Sequence, residues 1–410
     1  MSAQRIFTTG FFADDGFDFE TRVMLGQAAY GGADTGEVLA TIALIEDGDD
    51  ASWVAAWRGL GDRLAALAQD SQSRGHHVSA AAAWLRASVA YGATLNVLAR
   101  APTLDGLLPV FREHRQAWSR WCELQRPPWE PVAIPYEGGS LPGWFVAGAP
   151  DGGSRPTLIL NTGSDGPITS MLAFGGVGAQ ARGYNVLFFD GPGQQSQLFV
   201  QGRFFRHDWE AVITPVVDYL LGRPEVDARM LALYGVSQAG YWVPRALAFE
   251  HRLAAAVADT GVVDVSASWL RHLPQELVAL LERGDKARFN AFLSQGGADD
   301  PKLVGTWNFR SRPYGHSNPF EVFSAMLKYR LDPADAARIR TPLLVTDPEG
   351  EQFWPGQSER LMAMTPGVST LQRFSAAHGA NFHCEPMARR LVDQHMFDWL
   401  DEKLGRRSPT

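Results

Sequence analysis

From Phe19 to Gln125 apolar residues recur every three or four positions, the spacing of helices that each bury one stripe. Met24, Leu25, Ala28 and Ala29 open the pattern, and Val38, Leu39, Ile42 and Leu44 continue it. Trp53, Val54, Trp57, Leu60, Leu64 and Leu67 form the next stripe. Ser79 reads as the N-cap of an Ala-rich run through Trp84, Leu85, Val89 and Leu95, and Leu107, Val110, Phe111, Trp118 and Trp121 mark a last long helix. Breaks fall at Gly31-Gly32, Gly48-Asp49-Asp50, Gly75 and Pro102. No repeat period recurs, so one all-helical domain is expected. The period then changes. Pro127-Pro128-Trp129-Glu130-Pro131 is a stiff extended connector, and residues 132–136 and 141–146 flank Glu137-Gly138-Gly139-Ser140 as an antiparallel hairpin. Short apolar runs at 157–160, 185–189, 230–234, 254–259, 343–346 and 371–374 read as buried strands. Helical segments at 208–221, 238–250 and 386–404 alternate with them. Such alternation predicts an α/β class: a mostly parallel sheet with helices on both faces.

At 410 residues the chain exceeds one ordinary core. Four segments are expected: a helical domain over 1–128, a first part of the α/β core over 129–265, a helical cap insertion over 266–340, and the rest of the core over 341–410. Hydrophobic content of 45% and charged content of 20% are those of a globular protein. The net charge of −8, with Lys and Arg scattered, leaves no footprint for nucleic acid. Cys122 and Cys384 make neither a disulfide framework nor a metal pair. The N-terminus lacks the apolar core of a signal peptide and no run reaches membrane-spanning length, so a cytoplasmic location without membrane contact is expected. A homodimer is left open.

The candidate chemistry centres on residues 231–241, Leu-Ala-Leu-Tyr-Gly-Val-Ser-Gln-Ala-Gly-Tyr. An apolar strand breaks at Gly235 and a helix follows Gln238, so Ser237 occupies a strand-to-helix corner of the form G-x-S-x-small. The corner lifts the hydroxyl clear of the sheet, and flanking side chains must be small. Ala239 stands where Gly is usual, with Gly240 behind it. The Gln238 N–H, at a helix N-terminus, can face an oxyanion. The loops after Leu160 (Asn161-Thr162-Gly163-Ser164-Asp165-Gly166), Phe189 (Asp190-Gly191-Pro192-Gly193-Gln194) and Tyr234 all lie at C-terminal strand ends, where such sheets bind ligands.

The order of hairpin, small-residue loop, Asp-Gly-Pro-Gly loop and Ser corner resembles the α/β-hydrolase fold over residues 129–404. The helical N-terminal region and the phrases Asp208-Trp209-Glu210, Gly240-Tyr241-Trp242-Val243-Pro244-Arg245 and His383-Cys384 narrow the resemblance. They look like the subgroup containing 2,6-dihydroxypseudooxynicotine hydrolase, the fermentation–respiration switch protein and the pigment-pathway hydrolases that shorten polyketides. That resemblance implies a serine nucleophile, a helical domain packed over the site and, in some members, cleavage of a carbon–carbon bond beside a ketone.

A serine nucleophile needs a base and an orienting carboxylate, in the order Ser, acid, His in this fold. Two histidines follow the last strand. His378, beside Gly379, fits the simplest rule, whereas a loop turning back through Gly379-Ala380 suits His383. The resemblance, through Gly-Ala-x-x-His-Cys, selects His383. Asp347, Glu349 and Glu351 crowd the loop after residue 346, with Asp264 a further alternative. The resemblance puts the acid four residues before a proline, which is Glu351 before Pro355. The second oxyanion donor is expected from the loop after residue 160, with the Ser164 N–H as candidate and Asp165 shaping the turn or meeting substrate. The insertion carries Trp307, Phe309, Tyr314 and His316, aromatics that could line a pocket or form the cap's own core. Tyr241, Trp307 and Trp354 are the aromatic substrate-contact candidates. His76-His77 lacks a third metal ligand nearby. No dinucleotide fingerprint, Walker sequence, HExxH or spaced Cys/His set occurs, so neither cofactor nor metal is implied. The favoured expectation is a serine hydrolase acting on a carbon–carbon bond beside a ketone, or an ester, of a small apolar or aromatic metabolite, possible polyketides included. An acyltransferase or cyclase using the same acyl-enzyme, and a non-catalytic regulatory protein, are the alternatives.

Overall fold

The computed structural model describes residues 10–149, 152–295 and 300–406. Eight strands form one sheet in the order β1-β2-β4-β3-β5-β6-β7-β8. β1 (Glu130–Tyr136) and β2 (Gly139–Val146) form the hairpin, and β2 pairs antiparallel with β4 (Asn185–Phe189). β3 (Arg155–Asn161), β4, β5 (Val226–Val236), β6 (Ala255–Asp259), β7 (Leu343–Pro348) and β8 (Ser369–Phe374) are parallel throughout.

The central strands are apolar at nearly every position because both faces are covered. Leu158, Leu160, Val186, Phe188, Ala232 and Tyr234 point into one core. Their neighbours Ile159, Leu187, Phe189, Leu231 and Leu233 point into the other, the two-residue period of a pleated strand. The first core runs without interruption into the N-terminal helices, through Trp53, Trp57, Trp118 and Trp121. The helical region is therefore welded to one face of the sheet rather than built round a separate centre.

Those helices are α1 (Asp15–Gln27), α2 (Thr35–Ile42), α3 (Asp50–Ser73), α4 (His77–Gly92) and α5 (Leu107–Leu124). Asp14 and Asp49 cap α1 and α3 by accepting hydrogen bonds from first-turn amides. The expected Ser79 cap is displaced: α4 starts two residues earlier, with no side-chain cap, and Ser79 lies inside its first turn. Between β6 and β7 stand the cap helices α6 (Gln275–Glu282), α7 (Lys286–Gln295), α8 (Pro301–Ser311) and α9 (Pro319–Met326). Sequence periodicity missed α8, although Asp300-Pro301 supplies both an N-cap and a first-turn proline. Among the described residues no helix is long and apolar enough to cross a membrane.

Candidate active site

The ends of β3, β4, β5, β6 and β7 bring five loops to one edge of the sheet. At the end of β5, Ser237 has φ 59°, a left-handed backbone that a non-glycine residue adopts only when its surroundings enforce it. Close packing does so here. A Cβ on Gly235 would lie 2.6 Å from Val243 and 2.8 Å from the Ala239 methyl, and one on Gly240 would lie 1.7 Å from the Thr260 carbonyl oxygen. Ala239 thus fits because Gly235 yields the space. The Ser237 N–H donates backwards, to the Asp259 carbonyl at 2.5 Å and the Cys384 Sγ at 3.2 Å. The next amide, Gln238, begins the helix Ala239–Leu247.

On the other side of Ser237 lies the loop after β3. A Cβ on Gly163 would sit 2.6 Å from Ser237 Cβ and 3.1 Å from its Oγ. Gly163 is therefore the loop residue in contact with Ser237. Ser164, the sequence candidate for an amide donor, faces the neighbouring cavity with Gln238. Gln194, a polar residue with no local signal in the sequence, shapes this loop. Its Nε2 donates to the carbonyls of Thr162 and Gly163 at 2.7 and 2.8 Å, while its Oε1 accepts from the Gly191 N–H at 2.7 Å. Both carbonyls are thereby held on the Gln194 side of the loop. The Asn161 Oδ1 accepts from Trp209 Nε1 at 2.7 Å and anchors the strand end.

The loop after β7 brings Glu351 to His383. The imidazole Nδ1 lies 2.8 and 3.0 Å from the two carboxylate oxygens, with both side chains almost wholly buried. Glu351 Oε1 also accepts the N–H groups of Phe353 and Trp354 at 2.8 and 3.0 Å. Burial pushes this carboxyl up, but His383 and the two amides outweigh it and hold it below the ordinary carboxylate range. Glu351 is thus an anion that fixes the proton of His383 on Nδ1. The buried Nε2 makes no hydrogen bond among the described residues. Phe353 stands edge-on to the ring at 4.7 Å and Trp354 lies at 5.6 Å.

The other candidates lie elsewhere. His378 is near the surface with its Nδ1 3.2 Å from Ser375 Oγ. Glu349 accepts from the Ala376 N–H, Asp347 lies 3.5 Å from Arg373, and Asp264 pairs with Arg330. Two of the proposed substrate contacts are corrected. Tyr241 is fully buried in the second core, its hydroxyl donating to the His207 carbonyl at 3.0 Å, because its helix turns that face inward. Trp307 packs on Phe323 and Trp269 within the cap and lines neither cavity below.

Ser237 and His383 open into a mainly apolar cavity of about 110 Å³, roofed by Phe19, Glu20 and Met24 of α1. A second cavity of about 380 Å³ lies under the cap, lined by Ser164, Gln238, Trp269, Tyr314 and Trp354. Asn96 and Asp165 line both. The Asp165 carboxylate meets Arg310 of α8 at 2.5 Å, so the loop after β3 is tied to the cap.

Sheet order, Ser corner and buried His–carboxylate pair define an α/β-hydrolase fold. No protein-family model matches the chain. Hydrolase LUC6 from a Fusarium species is 31% identical over 407 residues, spanning 95% of this chain and 97% of that protein. The 20-hydroxy-prefusarin hydrolase FUS2 of Gibberella moniliformis is 28% identical over 406 residues, again 95% and 97% of the two chains. The crystal structure of 2,6-dihydroxy-pseudo-oxynicotine hydrolase superposes with a TM-score of 0.68 at 17% identity, covering 94% of this chain and 98% of that one. The chain belongs to the α/β-hydrolase superfamily, in the subgroup of these proteins, and is a hydrolase.

Proposed function

We propose that the protein is a serine hydrolase that cleaves a carbonyl-activated bond in a small, largely apolar or aromatic metabolite through an acyl-enzyme on Ser237. The observation that carries this reading is the His383 ring. Its Nδ1 is engaged by the Glu351 carboxylate, and its Nε2 is left unpartnered and buried on the cavity that Ser237 shares.

In the proposed cycle His383 Nε2 takes the proton of Ser237 as Oγ attacks the carbonyl carbon. The Gln238 N–H, with an amide from Gly163 or Ser164, holds the oxyanion. Collapse breaks the bond to the leaving group, which receives the proton from His383. Water, deprotonated by the same nitrogen, then releases the acid and restores Ser237. Glu351 keeps the ring oriented and stabilises the imidazolium. No Ser237–His383 hydrogen bond is formed in the resting structure, a looseness common before substrate closes the site. The apolar lining favours an apolar or aromatic acyl group, and the scissile bond is read as carbon–carbon beside a ketone or as an ester. The hydrolase names of the relatives, a prefusarin hydrolase among them, support the reaction class.

The test is active-site labelling. A fluorophosphonate should modify the full-length protein once, and Ser237→Ala should abolish the labelling while the circular dichroism spectrum is kept. Labelling that survives in Ser237→Ala would refute the assignment.

A further inference from the structure

The cavity that holds Ser237 and His383 is lined by a carboxyl group that the cycle above does not use. Glu20 projects from α1 of the helical region into that cavity. Asn96 Nδ2 donates to its Oε1 at 3.0 Å, and no described hydrogen bond or ion pair engages its other oxygen. Its backbone is firmly placed. Gly26 lets α1 lie so close to the base-bearing loop that an added Cβ would stand 1.8 Å from the Pro386 carbonyl oxygen, three residues past His383. The half-buried carboxyl faces a mainly apolar chamber with one oxygen held by Asn96 and the other open to whatever fills the cavity.

We infer that Glu20 is a further substrate-contacting residue, whose carboxyl in its acid form donates a hydrogen bond to a second, ketone oxygen of a bound 1,3-dicarbonyl compound. The inference rests on the serine-hydrolase reading and narrows it. While the Gln238 side of the site holds the attacked carbonyl, the Glu20 proton lies on the oxygen that becomes an enolate when the carbon–carbon bond breaks. The electron pair of that bond becomes the carbon–carbon double bond of the enolate, the ketone π pair moves onto this oxygen, and the hydrogen bond to Glu20 shortens without transferring its proton. His383 then delivers the proton it took from Ser237 to the leaving group, so the step balances. A neutral acid is suited to this task because it can donate where a carboxylate only accepts.

The electrostatics favour the acid form. Burial, then the nearby Asp165 carboxylate, push Glu20 up to about 7, against the opposing influence of Asn96, Arg310 and Arg100. The groups facing it are thus Asn96, which follows α4, Asp165 on the loop after β3, Arg310 on α8, Arg100 of the helical region and, across the cavity, His383.

The test uses 2,2-dimethyl-1-phenylbutane-1,3-dione, a diketone with no acidic hydrogen between its carbonyls. Its binding to full-length Ser237→Ala protein is measured by calorimetry across the pH range around neutrality. If only the acid form binds, affinity should fall up to about 30-fold from pH ~5.5 to pH ~8.5. Adding Glu20→Gln, which keeps a donor and cannot ionise, should retain binding and remove that fall. Adding Glu20→Ala should weaken binding at pH ~5.5 and also remove the fall. A fall that persists in the Glu20→Gln background, a flat profile with Glu20 present, or no binding would each overturn the inference. Because fluorophosphonate labelling of the wild-type protein is read separately, intact labelling with any of these outcomes removes Glu20 alone, whereas lost labelling removes the hydrolase mechanism.

Discussion

Replacing Gly163 by Ala tests whether the loop after β3 is built to touch Ser237 in the proposed role of nucleophile. The added methyl would fall 2.6 Å from Ser237 Cβ, 3.0 Å from the Val236 carbonyl oxygen and 3.1 Å from Ser237 Oγ. Carbon atoms settle at about 3.5–4.0 Å, so one side must retreat by about 1 Å. Ser237 has little freedom to do so, since its N–H is held from behind by Asp259 and Cys384. The loop must move instead, and the Thr162 and Gly163 carbonyls are drawn off the Gln194 amide. An oxyanion donor is useful only at about 2.7–3.1 Å, and losing one costs about 10²–10³ in rate. Overpacking should also cost about 1–3 kcal/mol of stability. Gly163 has a backbone open to any residue, so the effect is steric. The assay is fluorophosphonate labelling and p-nitrophenyl ester hydrolysis by the full chain, with Tm followed by circular dichroism. Gly106→Ala, whose methyl meets nothing within 4 Å, is the control. A folded Gly163→Ala protein that labels as fast as wild type would refute the reasoning.

His383→Ala should lower kcat/KM by about 10⁴–10⁶, and His378→Ala should leave it near wild type; the reverse ranking would move the base. Glu351→Gln, which keeps volume but loses the charge that orients the ring, should cost about 10⁴ in kcat, with Glu349→Gln and Asp347→Asn close to neutral in the same steady-state assay. Cys384→Ala should slow labelling by about tenfold through the lost tie to Ser237, with Cys384→Ser recovering much of it; an unchanged Cys384→Ala rate would count against the tie. Glu20 carries a stability signature apart from ligand binding. Its folded value of about 7 lies above the ordinary 4.5, so the folded chain holds the proton more tightly. Stability should therefore fall as pH rises between those values and level off above them, by at most about 3 kcal/mol. Thermal melts should show Glu20→Gln gaining on wild type from pH ~5 to pH ~8, and a constant difference would contradict the raised value.

The α/β framework was legible because its signals are local: apolar runs bounded by glycine, and a helical period that stops at Pro127. The Ser237 corner was legible for the same reason, since the size of residues 235, 239 and 240 is written beside it. The residues alone left His378 and His383 open, because the choice depends on where the loop after β8 turns. That turn is made by Gly379 at φ 68° together with the left-handed residues 384 and 385. Tyr241 and Trp307 show the converse limit, for an aromatic near the motif can face the core as readily as the cavity. Gln194 and Glu20 carried no local signal. One is a polar residue in the loop after β4 and the other sits on a helix more than two hundred residues before Ser237, and only the packed fold brings them to the site.

The His-Cys pair, at first a mark of resemblance, has a physical reason in this fold. Cys384 Sγ accepts the Ser237 N–H at 3.2 Å and lies 3.2 Å from the Asp259 carbonyl, to which it donates. One thiol thus joins the Ser237 corner, the end of β6 and the loop bearing His383. Burial raises its pKa well above the ordinary range, so it stays a neutral thiol. Cys384 and Glu385 hold φ values of 56° and 40°, each costing about 1–3 kcal/mol, so the loop needs external restraint. Arg389 supplies it from the last helix, donating to the Cys384 carbonyl at 2.7 Å and to the Tyr234 hydroxyl at 2.7 Å. Tyr234 in turn donates to Asp259 Oδ2 at 2.5 Å, and Thr346 of β7 donates to the other oxygen at 2.8 Å. Every strand that carries a functional loop from β5 to β7 is therefore bonded to the segment bearing His383. Because the Ser237 amide is committed to that rear network, the proposed cycle leaves the oxyanion to the next amide, Gln238, and to the loop pressed against Ser237 from the far side.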